Sequence, residues 1–240
     1  MIRSVYDVLG TVEGAVTLLL FVLLLLGSHR KFWILTVQAG WEFLGSLALT
    51  IFDLKRAGSQ RTLYGHLYWT NEVAVDLLLF LVVISLTHEA VPAGSTRRKV
   101  DRFLGAVVVA VLALPFLALD PNFRPWPSGH WFNSTGEILN FGAAVMNLGL
   151  WGALIASRER DAQMFRVSAG LGIRVAGTAM AYGIRHFVPP GVEPFLPNLL
   201  LMLTQIAGWA VLCRTFWPAR KSRPPVHPDD AIPAASAAST

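Results

Sequence analysis

The sequence predicts an all-α integral membrane protein, a bundle of seven transmembrane helices with its N-terminus outside and its C-terminus in the cytoplasm. Three observations carry that expectation. Hydrophobic residues make up 54% of the 240 and charged residues only 15%, where soluble domains hold about a quarter charged residues; mean hydropathy is +0.51. Apolar runs recur along nearly the whole chain, each about one bilayer long, since a helix needs roughly 20 residues to cross roughly 30 Å of hydrocarbon. Basic residues gather in alternate connections, as topology demands.

The first span is 8–27, and the polar start of the chain includes Asp7 and Glu13. Its apolar run from Ala15 to Leu26 ends at Gly27-Ser28-His29-Arg30-Lys31. That is a stop signal rather than a small-residue cleavage site, so the span is expected to be retained. The second span is 32–53. The third, 66–87, opens on Tyr68-Trp69. The fourth, 103–119, contains Pro115, which should kink or end it. The fifth, 131–156, follows a stretch rich in proline and aromatics, "DPNFRPWPSGHWF". The sixth, 167–187, has Ser168, Gly172 and Ala176 at four-residue spacing, with Gly170, Gly177 and Gly183 between and beyond. Small residues let helix backbones approach where lipid gives no hydrophobic drive, so this span is expected at the centre of the bundle. The seventh, 196–217, follows "FVPPGVEPFLP". These two proline-rich stretches read as stiff caps. The tail, 218–240, is rich in Pro, Ala and Ser and is expected to be disordered.

Charge sets the direction. Arg30 and Lys31, the group Arg97, Arg98, Lys99 and Arg102, then Arg158, Arg160 and Arg166, and finally Arg214, Arg220, Lys221 and Arg223 all fall on one side. The other side holds Arg3, Lys55, Arg56, Arg61 and Arg124. The excess marks the first side as cytoplasmic. Trp69, Trp126 and Trp131 lie near the outer boundary and Trp33 and Trp217 near the inner one, as amphipathic indoles prefer. With the basic residues in short connections, no nucleic-acid surface is expected. The single cysteine, Cys213, allows no intrachain disulfide.

The informative residues are the polar ones inside the spans. Glu72 and Asp76 in the third are at i and i+4, so they share a helix face. A carboxylate near the bilayer centre costs about 2.5–3.5 kcal/mol on the insertion scale, so this face should turn inward, toward donors or water. Gln38 and Glu42 repeat the spacing in the second span. The fifth carries Asn133, Ser134, Glu137, Asn140 and Asn147; the sixth Arg174, Arg185 and His186; the seventh Asn198 and Gln205. Arg174 and Arg185 are eleven positions apart and point to nearly the same side. Depth sorts these groups into an outer tier of Glu72, Glu137, Arg185 and His186 and a middle tier of Glu42, Asp76 and Arg174. Tyr68, Asn71 and Asn140 are further candidates for the lining of a polar cavity. Three readings of the tiers stay open: buried pairs that fix helix register, a polar pocket open to the outside that binds a small or lipid-like ligand, and an ion or proton path.

Several chemistries find no footing. A covalent retinal pigment needs a lysine in the last span, whereas Lys31, Lys55, Lys99 and Lys221 lie in connections or tail. Bis-histidine haem needs histidines deep in facing helices, and none is deep. His66, His130 and His186 share the outer side, but no metal site is expected from them. There is no nucleotide loop, zinc-protease helix or serine elbow, and no catalytic residue or cofactor is expected. Receptor-like topology is matched without the signature motifs of G-protein-coupled receptors, and fold alone does not carry function.

The run Tyr64-x-x-x-Tyr68-Trp69-x-x-Glu72, the following apolar span, the Pro92 loop, the basic "RRKVDRFLG" entry and the glycine-rich "GLGIRVAGTAMAYGI" resemble an uncharacterised group of bacterial seven-helix membrane proteins, associated mainly with acidobacteria. The resemblance implies a seven-helix fold and a bacterial inner-membrane location. It implies no activity.

The expectation is thus a non-catalytic, sensor-like or ligand-binding bundle with a polar outer cavity. A sensing role would need a membrane or cytoplasmic protein partner, since the short inner connections and the tail hold no output domain. The alternatives are a small-solute or proton-coupled transporter, for which inverted repeats would speak, and a structural subunit of a membrane complex.

Overall fold

The computed structural model describes residues 2–28, 31–54, 61–91, 95–118, 129–156, 161–185, 187–189 and 194–217. Seven α-helices make up nearly all of them: α1 (Ile2–Leu23), α2 (Trp33–Leu54), α3 (Arg61–Ala90), α4 (Ser95–Ala118), α5 (Gly129–Ala156), α6 (Ala162–Arg185) and α7 (Phe195–Phe216). A π-helical turn, Leu24–Ser28, extends α1. No strand occurs among the described residues. His186, most of the first proline-rich stretch, residues 190–193 of the second and the tail from residue 218 lie outside the described residues.

Every helix but α6 contains a stretch long and apolar enough to cross a bilayer. α6 carries Arg166, Arg174 and Arg185, and much of the remainder is glycine and alanine, which add little apolarity. The helices also outrun their apolar spans. α1 begins at Ile2 rather than residue 8, α3 at Arg61 rather than 66, and α4 at Ser95 rather than 103. The backbone ladder has no reason to stop where hydrocarbon stops; polar side chains take over the outer turns. Pro115 does not end α4, which runs on to Ala118.

α1 packs on α2, α2 on α3, α3 on α5, α5 on α6, α6 on α7, and α7 back on α1. These six close a ring. α4 lies outside it, against α5 and α3, and of its described side chains only Leu104 and Pro115 are fully buried. The α6–α7 contact is the most extensive. A Cβ on Gly208 would stand 2.8 Å from the Gly170 carbonyl oxygen, and one on Gly170 would stand 3.1 Å from that of Gly208. The two backbones touch, as small residues permit. The expected four-residue stripe divides differently. Ser168 and Gly172 face α5, where Ser168 Oγ donates to Asn147 Oδ1 at 2.9 Å and a Cβ on Gly172 would meet Asn147 Nδ2 at 2.7 Å. Ala176 is exposed, and a Cβ on Gly183 would meet nothing within 4 Å.

The ring interior has two unlike halves. One is apolar. Leu20, Leu24, Phe32 and Leu35 meet Leu79, Phe80, Val83 and Leu86 of α3, Leu150 of α5, Leu171 of α6 and Leu212 and Phe216 of α7. The other, toward the N-terminal end of α1, is polar. At the apolar end, Lys31 Nζ donates to Asp161 Oδ2 at 2.8 Å, and the Gln163 and Met164 amides donate to Asp161 Oδ1 at 2.9 and 3.1 Å. Asp161 therefore caps α6, and the Lys31 hydrogen bond holds its carboxyl below the usual carboxylate range. A depressed carboxyl stabilises above its unfolded pKa and loses that contribution as pH falls through its folded value. Asp161→Ala is expected to cost about 1 kcal/mol at neutral pH, most of it the lost cap, because exposed ion pairs contribute little. The gap from the parent in thermal unfolding should close as the medium is acidified through the aspartate range. A gap that widens on acidification would refute the assignment.

Candidate functional site

The polar half encloses a cavity of about 370 Å³. Five helices line it. α1 contributes Tyr6 and Glu13, α2 Glu42 and Ser46, and α3 Tyr68, Asn71, Glu72, Val75 and Asp76; α6 adds Arg174, Thr178, Tyr182 and Arg185, and α7 adds Asn198, Leu201, Met202 and Gln205.

The floor is built around one ion pair. Arg174 is almost fully buried. Its Nη2 donates to both oxygens of Glu42, at 3.0 and 2.8 Å. Its Nε donates to Gln205 Oε1, and Gln205 Nε2 in turn donates to Thr178 Oγ1 at 3.0 Å. The guanidinium carbon lies 3.6 Å from the centre of the Trp209 ring, and the indole nitrogen donates to Glu42 Oε1 at 2.8 Å. Charge, planarity and ring face are thus all matched, which is where arginine differs from lysine. Gly208 makes this possible: a Cβ there would stand 3.1 Å from Arg174 Cδ. Stacking, pairing and hydrogen bonding together hold a guanidinium in a region that would otherwise expel it.

The wall is the acidic face of α3. Glu72 and Asp76 both turn into the ring and line the cavity. Asp76 is buried and has the Asn140 side chain as a hydrogen-bonding neighbour. Its Oδ2 makes no hydrogen bond within the described protein. Gly136 supplies the room: a Cβ there would fall 2.7 Å from Asp76 Oδ2 and 3.1 Å from Tyr182 Oη. Gly45 does the same for Asn71, whose Cγ would lie 3.1 Å from an added Cβ. Gly136→Ala is expected to fold with a loss of about 1–3 kcal/mol, the usual range for overpacking, read by thermal unfolding in detergent. An unchanged melting temperature would mean that Asp76 and Tyr182 are not held against α5.

Toward the N-terminal end of α1, Arg185 Nη2 donates to Asn198 Oδ1 at 2.7 Å, and its guanidinium carbon lies 5.1 Å from the centre of the Tyr182 ring. Tyr6 packs on Phe195, ring centres 5.9 Å apart, which joins α1 to the start of α7.

The sequence-derived candidates divide as follows. Glu42, Tyr68, Asn71, Glu72, Asp76, Arg174 and Arg185 share this cavity. Asn140 stands behind Asp76 on α5, its Nδ2 donating to the Gly136 carbonyl at 2.9 Å. Glu137 is half-buried on α5 and is not among the lining residues. His186 lies outside the described residues. Glu13, Tyr6, Thr178, Tyr182 and Trp209 belong to the site and were not candidates. Glu13 offered a signal: a carboxylate inside the first span, with apolar turns on both sides. Among the described residues no three His, Cys, Asp or Glu side chains come together as a metal site would need. No protein family, curated protein or solved structure matches the chain.

Proposed function

We propose that the protein is a seven-span inner-membrane protein of bacteria that binds a small polar solute in the cavity between α1, α2, α3, α6 and α7, without catalysing its conversion. In this reading the N-terminus and the cavity face outward, and the basic end, with Lys31, Arg97 and Arg214, faces the cytoplasm. α6 is the seventh span, tolerated because Arg174 and Arg185 face the ring and Arg166 lies in its first turns, at the basic end. The observation that carries the reading is the one-sided cavity. Charged and aromatic side chains from α1, α2, α3 and α6, with the amides of α7, converge on a volume fit for a small molecule, and an apolar half seals the ring beyond Arg174. The resemblance to uncharacterised bacterial seven-helix proteins supports the location. A sensing role would act through a protein partner at the basic end.

A broad solute screen by thermal shift on the detergent-purified protein tests this. Compounds that raise the melting temperature of the parent but not of Glu72→Gln are expected. If no compound shifts the parent, or if every hit shifts both alike, the binding reading fails.

One observation favours transport as the second reading. Gln38 lies one turn beyond Glu42, inside the apolar half, with no exposure and no hydrogen bond on either amide atom among the described residues. A polar step there suits a route through the seal. Solute uptake into proteoliposomes that is abolished in Gln38→Leu, with binding retained, would favour it.

A further inference from the structure

We propose that the solute carries an ammonium group, seated against Glu72 and Asp76 among the tyrosines of the cavity. The proposal rests on the binding reading above and adds to it the chemistry of the ligand.

Charge is the first argument. The lining holds Glu13, Glu42, Glu72 and Asp76 against Arg174 and Arg185. Glu42 is committed: Arg174 takes both its oxygens and Trp209 takes one of them again. Among the described residues, Glu13, Glu72 and Asp76 then share the cavity with one further cation, Arg185, which already donates to Asn198. With these carboxyls ionised, a ligand of positive charge balances the cavity and an anion adds to its excess.

The second argument is an orphaned oxygen. Asp76 lines the cavity and is 8% exposed, and its Oδ2, on the side of Gly136, has no donor among the described residues. Burying an acceptor without a donor is costly. An ammonium brings three donors and the opposite charge, and Glu72, one turn along the same face, can share it. The third argument is aromatic. Tyr6, Tyr68 and Tyr182 line the same space, and ring faces attract cations, most of all where water is excluded. A bare metal ion suits the site less well, because its carboxylates do not converge as metal ligands.

Two donors also lack partners among the described residues, Arg174 Nη1 at the floor and Arg185 Nε nearer the mouth. They suit a ligand that has an oxygen acceptor besides its ammonium. Simple amines and amino acids both fit this chemistry, and the ammonium is what they share.

Binding is measured by calorimetry on the full chain in detergent with two matched sets. One is 2-phenylethylamine, phenylalanine, 3-phenylpropanoate and 2-phenylethanol. The other is propylamine, alanine, propanoate and 1-propanol. Members with an ammonium are expected to bind about tenfold or more tightly than the neutral and carboxylate-only members of the same set. Preference for the amino acid over the amine would assign an acceptor to the arginines; the reverse preference would leave the ammonium alone. Asp76→Asn, which keeps size and removes charge, is expected to lose at least about tenfold in affinity for those members; Glu72→Gln serves if that variant does not fold. Equal or tighter binding of the alcohols or carboxylates overturns the ammonium and leaves the cavity as a binding site. Binding by no member of either set also overturns it. If the broad screen is empty as well, the binding reading falls with it.

Discussion

Glu42→Leu is expected to destabilise the protein by about 3–5 kcal/mol, the cost of leaving a buried arginine without its counter-charge. Arg174 is 1% exposed, so water at the cavity floor can replace little of what Glu42 supplies. The double variant Glu42→Leu, Arg174→Met should recover most of that loss, because apolar residues of similar volume replace a buried pair at little net cost. A residue of about 1–2 kcal/mol should remain, since the Trp209 N–H and the Gln205 carbonyl lose their partners. Unfolding of the parent, both single variants and the double variant in mixed detergent gives the coupling directly. Additive effects would show that the pair is not what holds the floor together.

Gly208→Val is the second large effect, expected at about 3 kcal/mol, toward the upper end of overpacking costs. Its first added carbon would meet the backbone oxygen of Gly170 at 2.8 Å, and a backbone oxygen cannot rotate aside as a side chain can. The helices must separate, and the Arg174 stack on Trp209 separates with them. Gly152→Ala is the control. Nothing lies within 4 Å of its added Cβ, so the expected change is a gain of about 0.5–1 kcal/mol from helix propensity alone. Similar melting temperatures for the two variants would mean that the α6–α7 crossing is looser than described.

Much of the helical layout was legible in the sequence, because apolar length is a property of contiguous residues. The inward turn of Glu72 and Asp76 was legible too, since the cost of a carboxylate in hydrocarbon leaves the third helix few other orientations. The ring order was not. That α3 passes over α4 to reach α5 depends on three-dimensional packing, although "FLGAVVVAVLALPFLA" gave a hint: a span with no polar side chain has nothing to offer a polar interior. Glu13 groups in the sequence with the polar start, ahead of the uninterrupted apolar run from Ala15 to Leu26; in α1, which starts at Ile2, it sits well inside the helix. Trp209 was missed for a different reason. Its role depends on meeting Arg174 across two helices, and nothing in the local sequence signals a partner so distant. Gly136 and Gly208 likewise looked like any membrane glycine until their neighbours were known.

The distance along the chain between Glu42 and Arg174 also bears on biogenesis. The two are 132 positions apart, which at about 5–20 residues per second is roughly ten seconds of synthesis. Throughout that interval α2 has left the ribosome with an acid whose counter-charge has not yet been made. α2 and α3 must therefore wait beside the insertion machinery, or shelter each other's carboxylates, until α6 emerges. Nascent chains halted after α5 should be extracted and degraded, whereas those halted after α7 should persist.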